Sequence, residues 1–249
     1  MWNGKNKAFT LSYDDGVESD RKLLDIINYY GLKCTFNLNS GIIGTNDTWQ
    51  CNKLTVRRLP WEGIQELYAG HEIAVHGRRH LAPAELDEEQ MYDEFKLDKM
   101  KLEQVFKETP VGMAYAYGCY NDKVVEYLKS IGIEYARTVE DSLNFDLQDD
   151  LMRFKPTCHH KNDRVFDLID EFLEKPDDTP QLFYLWGHSY EFDAEEDWTR
   201  LEQICEKISG YDNILYGTNS EVLLNKGCKE LLPLLKCFTA ISHNLKGAI

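Results

Sequence analysis

Residues Phe9-Thr10-Leu11-Ser12-Tyr13-Asp14-Asp15-Gly16 set two adjacent carboxylates and a glycine at the end of a short apolar run. Alternation and aromatic or β-branched content predict a strand over residues 7 to 13, and Asp-Asp-Gly then reads as the turn that leaves it. In α/β folds the C-terminal ends of strands are where ligands and catalytic groups collect, because the loops vary while the sheet holds their roots still. Two neighbouring carboxylates repel, so keeping them together calls for a cation or a shared proton. Asp-Gly alone is ordinary turn chemistry. The pair gains meaning only if the chain supplies further ligands.

The patterns that follow alternate between helix and strand. A helical stripe over residues 17 to 30 ends at Gly31, and an apolar strand covers 33 to 38, giving the β-α-β unit of a parallel sheet. Residues 40 to 60 show little periodicity and read as a long loop. A short helix (61 to 68) and a strand (72 to 75) lead into His76-Gly77-Arg78-Arg79-His80. An amphipathic helix is expected over 85 to 107, strands over 111 to 117, 133 to 137, 151 to 155, 181 to 186 and 213 to 216, and helices between them. About eight strands alternating with helices imply a (β/α) barrel, and 249 residues suit a single domain, residues 1–249,. Within it, residues 228–249 are expected to form a terminal packing extension.

Two histidines four residues apart, just past a strand, can turn both imidazoles toward one point. With one carboxylate from Asp-Asp-Gly they make a three-ligand set for a divalent ion, leaving positions open for water and substrate. In this arrangement the chain resembles the polysaccharide deacetylases of the NodB-homology type, carbohydrate esterase family 4. Ser12-Tyr13-Asp14-Asp15-Gly16 matches that family's first motif, Thr-Phe-Asp-Asp-Gly. Gly70-His71-Glu72-Ile73-Ala74-Val75-His76-Gly77-Arg78-Arg79-His80 matches the second, with Gly77 where Ser or Thr is usual. That replacement spares the ligands and alters how the loop is braced.

The resemblance implies a distorted (β/α)7-type barrel with all groups at one rim. It implies that Asp14 is the general base and that Asp15, His76 and His80 hold the metal. Ala114-Tyr115-Ala116-Tyr117-Gly118 is a degraded third motif, with Ala114 where an arginine that pairs with the catalytic aspartate is expected. Arg137 or Arg153, each near a later strand end, can substitute. The Tyr117 N–H can still donate to an oxyanion, since that role needs no particular side chain. Trp186-Gly187-His188 resembles the fifth motif and makes His188 the expected general acid, with Glu191 or Asp193 placed to raise its pKa. No clean fourth motif is found in residues 139 to 150. Thr157-Cys158-His159-His160 invites a second metal reading, but adjacent residues on an extended segment point opposite ways. One site-facing histidine, His159 or His160, is expected to touch substrate. Trp186, Tyr190, Tyr115 and Tyr120 near the rim can stack on sugar faces or pack.

A net charge of −15 and a pI near 4.9 argue against nucleic acid or an anionic membrane as partner,. No signal-peptide pattern opens the chain and no apolar run is long enough to span a bilayer, so a cytoplasmic location is expected. Seven cysteines without a C-x-x-C pair read as reduced thiols. The expected reaction is metal-assisted removal of an N-acetyl, or less readily an O-acetyl, group from a saccharide, with a bell-shaped pH dependence. A small amide is the alternative substrate, and a metal-bearing carbohydrate-binding relative the alternative class. Zn2+ is the first choice of ion, with Co2+, Ni2+, Mn2+ or Fe2+ also suited to nitrogen and oxygen ligands.

Overall fold

The computed structural model describes residues 1–224. Strands β1 (Lys7–Asp14), β2 (Cys34–Leu38), β3 (Thr48–Cys51), β4 (Leu54–Arg57), β5 (Glu72–Val75), β6 (Gly112–Ala114), β7 (Tyr135–Arg137), β8 (Cys158–His159), β9 (Gln181–Gly187) and β10 (Ile214–Tyr216) alternate with helices. The helices are α1 (Asp20–Tyr29), α2 (Ile64–Leu67), α3 (Glu88–Met91), α4 (Leu97–Phe106), α5 (Asp122–Ser130), α6 (Val165–Glu174), α7 (Tyr190–Ala194), α8 (Trp198–Ile208) and α9 (Asn219–Leu223).

The main sheet is parallel, in the order β7-β6-β5-β2-β1-β9-β8, with β10 paired to β1 as well. All eight residues of β1 are buried, as expected of a strand covered on both faces. One edge of β1 pairs with β9 over residues 7 to 13. Its other edge pairs first with β10, through Lys7, Ala8 and Phe9, and then with β2, from Leu11 to Asp14. The segment 154–159 joins the two ends of the sheet. Phe154 bridges Arg137 of β7, and Cys158 and His159 pair with Leu185 and Trp186 of β9. The curled, parallel half-barrel sheet fits the distorted (β/α) barrel expected.

Helices α1, α6 and α8 bury the apolar stripes that the sequence pattern gives them, including Leu23, Leu24, Ile27, Leu168, Ile169, Leu201 and Ile204. The Lys7 ammonium is buried beneath α6 and donates to the carbonyls of Phe172 and Leu173 at 2.8 and 3.0 Å, satisfying groups at the helix C-terminus,.

Three expectations are corrected. The stretch expected as a long loop holds the antiparallel hairpin β3–β4. Residues Leu151–Arg153 form a 3-10 turn rather than a strand, because the Asp150 carboxylate accepts the Met152 N–H and curls the chain. The helix expected over 85 to 107 is interrupted by a π-helical stretch, Tyr92–Lys96, between α3 and α4. Residues 228–249, expected as a packing extension, lie outside the described residues. Among the described residues, no helix is long and apolar enough to cross a membrane, and the five cysteines are free thiols.

Candidate active site

Parallel pairing brings the ends of β1, β5, β6, β7 and β9 to one rim, and each delivers one part of the site. Asp14 is the last residue of β1, and Asp15 follows with a φ of +86°. His76 follows β5, and His188 follows β9. Asp15, His76 and His80 offer donor atoms that all lie within 4.8 Å of one another. The His76 ring is buried, its Nδ1 lies 2.8 Å from the Ala114 carbonyl, and its Nε2 has no hydrogen-bond partner. A carbonyl can only accept, so the proton sits on Nδ1 and the Nε2 lone pair is left facing the cluster, as a metal ligand requires. These residues fit a divalent ion.

Asp14 is held separately from that set. Its Oδ2 accepts from Arg137, which is itself buried, and its Oδ1 accepts from Asn37 Nδ2 at 2.8 Å. His188 Nε2 lies 3.8 Å from the same Oδ2 and His76 Nε2 3.9 Å. Burial pushes the Asp14 carboxyl up, but Arg137 and the neighbouring imidazoles outweigh it and bring it down to about 2,. The arginine missing at position 114 is supplied one strand over. Ala114 and Arg137 are register partners across β6 and β7, so their side chains leave the same face of the sheet. Arg153 instead pairs with Asp122 and Asp150 at the surface.

Asp15 has its own cation. Arg58, just past the hairpin, reaches Asp15 Oδ1 at 3.2 Å and Asn39 Oδ1 at 3.2 Å, with its guanidinium 4.5 Å over the Trp49 ring. Burial raises the Asp15 carboxyl, yet the histidines and Arg58 leave it below its ordinary value. Sequence reasoning missed Arg58, Asn37 and Trp49. Arg58 and Trp49 fall in the stretch without periodicity, and nothing in one sequence marks which arginine will fold over Asp15.

His188 Nδ1 lies 3.3 Å from Glu191 Oε2. Burial disfavours the imidazolium, but Glu191, Asp14 and Asp15 outweigh burial and raise its pKa above the ordinary histidine value. His159 and His160 also approach Glu191 Oε2, each at 3.1 Å through Nε2. His159 Nδ1 accepts the Lys161 N–H at 3.1 Å, which leaves the ring proton on Nε2, facing Glu191,. His159, His188 and Glu191 offer donor atoms within 4.8 Å of one another, but this tautomer of His159 turns its N–H rather than a lone pair toward Glu191,. His160 is fully buried, stacked on Tyr13, with Nδ1 3.1 Å from the Tyr13 hydroxyl. Of the two, His159 is the one near the rim, 6.1 Å from His188 between ring centres.

The aromatic residues divide. Tyr117, in a 3-10 turn after β6 with a φ of +57°, is 70% exposed and meets the His80 ring edge-on at 4.5 Å. Tyr190 lies 5.2 Å from His188 and packs against Trp49. Trp186 is buried, with the Arg137 guanidinium 4.3 Å over its ring and its Nε1 donating to Asp141 Oδ1 at 3.3 Å, so it braces Arg137 rather than facing solvent. Tyr115 and Tyr120 stack on each other away from this cluster, the Tyr115 hydroxyl donating to the Met152 carbonyl.

A family model for polysaccharide deacetylases matches residues 3–136, more than half of the chain. The chain belongs to the polysaccharide deacetylase family. No curated protein matches it. Among solved structures, a putative polysaccharide deacetylase from Mycobacterium smegmatis has a TM-score of 0.63 at 18% identity, covering 92% of this chain and 93% of that one. A Streptococcus pyogenes deacetylase in complex with acetate has a TM-score of 0.50 at 17% identity, covering 58% of this chain. The chain spans only 61% of that deacetylase's length. A family 4 pseudoenzyme from Bacillus anthracis has a TM-score of 0.52 at 14% identity, covering 88% of this chain and 66% of that one. At these identities the structural likeness speaks to the fold. The choice between a working deacetylase and a silent one rests on this chain's own residues.

Proposed function

We propose that this polysaccharide deacetylase family member is a metal-dependent hydrolase that removes an N-acetyl group from a saccharide. The observation that carries the reading is the convergence on Asp14 Oδ2 of His76, from the Asp15-His76-His80 donor set, and of a His188 held by Glu191. A divalent ion held by that set, with Zn2+ the first choice, supplies Lewis acidity toward the acetyl carbonyl and lowers the pKa of the attacking water. Asp14, ionised through its pairing with Arg137, accepts the water proton. The Tyr117 N–H, at the rim beside His80, donates to the developing oxyanion. His188, whose pKa the neighbouring Glu191 carboxylate helps to raise, gives its proton to the departing amine,. An amine cannot leave as its anion, so a proton donor of raised pKa suits an amide more than an ester. The exposed Tyr117 ring beside His80 suits the C–H face of a sugar.

The alkaline side of the pH profile follows from the same contacts. His188 is the active acid below its pKa, and Glu191 raises that pKa. Glu191→Gln should therefore move the alkaline limb of kcat/KM to lower pH. An alkaline limb that stays in place would show that another group titrates there.

The substrate class is tested by acetate release from N-acetylglucosamine oligomers, O-acetylated xylo-oligosaccharides and simple acetamides or formamides. Release from the first set, faster than from the other two, is expected. Turnover confined to small amides would move the assignment to a non-sugar C–N hydrolase. Metal uptake without turnover of any of them would favour a carbohydrate-binding relative.

A further inference from the structure

We propose that Glu94 is the positioning residue of the metal-binding loop, holding His80 in place from a helix that follows it in the chain. The proposal rests on the reading of His76 and His80 as metal ligands. The loop after β5 has little regular structure of its own, and His80 adopts a φ of +60°, a left-handed conformation that a side-chain-bearing residue keeps only where the surroundings impose it.

Glu94 supplies that constraint. Its carboxylate Oε1 accepts the Arg79 N–H at 2.8 Å and the Leu81 N–H at 2.9 Å, one on each side of His80. Its backbone carbonyl accepts the Arg78 N–H at 2.8 Å. Three N–H groups of the loop thus converge on one residue, whose side chain is fully buried. Glu94 lies in the π-helical stretch Tyr92–Lys96. Such a widened turn is rare, and it is often found at functional sites. Here it coincides with a backbone carbonyl that bonds outside the helix, to the loop.

The same geometry explains Gly77, which stands where the matching motif carries Ser or Thr. Gly77 has a φ of +83°, and a Cβ there would lie 2.9 Å from Glu94 Oε1. A side chain at position 77 would push that carboxylate from its place against the loop. With glycine at position 77, a residue of the neighbouring helical stretch braces the loop. Groups that orient a ligand without touching the metal typically change metal affinity 10- to 100-fold when removed.

The test is titration of the metal-free protein with Co2+ or Zn2+ against a chromophoric competitor, alongside thermal melting of the same metal-free samples. Glu94→Ala should weaken binding by about 10- to 100-fold. Glu94→Gln keeps an acceptor oxygen in the same place and should recover part of that loss. A merely structural role would lower the melting temperature of the metal-free protein and leave the affinity alone, which overturns the proposal. If Glu94→Ala does not fold, Glu94→Gln decides: several-fold weaker binding supports the proposal and wild-type affinity overturns it. Wild-type binding that His76→Ala/His80→Ala abolishes, together with unchanged affinity in the Glu94 variants, overturns the proposal alone. Wild-type protein that takes up no metal removes the ligand assignment and this proposal with it.

Discussion

Asp14→Asn should lower turnover by about 10²- to 10⁴-fold, the usual worth of a positioned general base, while metal content stays at the wild-type level. The substitution keeps the shape of the side chain and its contact with Asn37, but an amide cannot take a proton from water. Asp14 is distinct from the Asp15-His76-His80 donor set, so the variant separates proton transfer from metal binding. The measurements are steady-state acetate release and elemental analysis of the same preparation. Activity retained in Asp14→Asn would reduce Asp14 to a counter-ion for Arg137 and leave the proposed reaction without its base.

Arg137→Ala removes the only cation that hydrogen-bonds Asp14 among the described residues. Breaking a buried ion pair by deleting one partner costs about 3–5 kcal/mol, because the remaining charge is left uncompensated. A carboxyl with a depressed pKa contributes stability above its unfolded pKa, and that contribution is lost as pH falls toward its folded value, here about 2,. Without Arg137 the burial of Asp14 prevails and its pKa climbs. The acid limb of kcat/KM should then rise from strongly acidic pH into the readily measured range, with a lower melting temperature. Because Ala114 and Arg137 are register partners, Ala114→Arg in the Arg137→Ala background returns a guanidinium to the position the family motif uses. Partial recovery of kcat/KM and of the acid limb is the expected result. An Arg137→Ala enzyme with unchanged stability and pH profile would mean that the pair has no part in setting Asp14.

The residues readable from the sequence were those whose geometry is local. Asp14 and Asp15 are adjacent, and His76 and His80 are four apart past a strand end. His188 sits at the end of an apolar strand, so chain order alone places each at a rim. The lateral partners were less readable. Arg137 was one of two alternatives, because which arginine faces Asp14 depends on the β6–β7 register, and a single sequence does not state that register. The hairpin β3–β4 escaped because its strands are short and half-exposed, so neither the apolar pattern nor an Asn-Gly turn marks it. Its turn instead uses Asn52 at a φ of +54°. Arg58 and Trp49 escaped with it. The 3-10 turn at Leu151–Arg153 reads as a strand in sequence because its apolar residues fit either period, and the Asp150 side chain decides the outcome. Trp186 reads as a rim aromatic in sequence, and only the fold shows that Arg137 already occupies its face.

Metal held by Asp15, His76 and His80 is the feature on which the proposed chemistry depends first. Elemental analysis of the purified protein, wild type beside His76→Ala/His80→Ala, should give about one equivalent of a divalent transition metal in the first and almost none in the second, as three-ligand chelation predicts. No metal in the wild type after incubation with Zn2+ or Co2+, or equal metal in both proteins, would contradict the ligand assignment and with it the proposed hydrolysis.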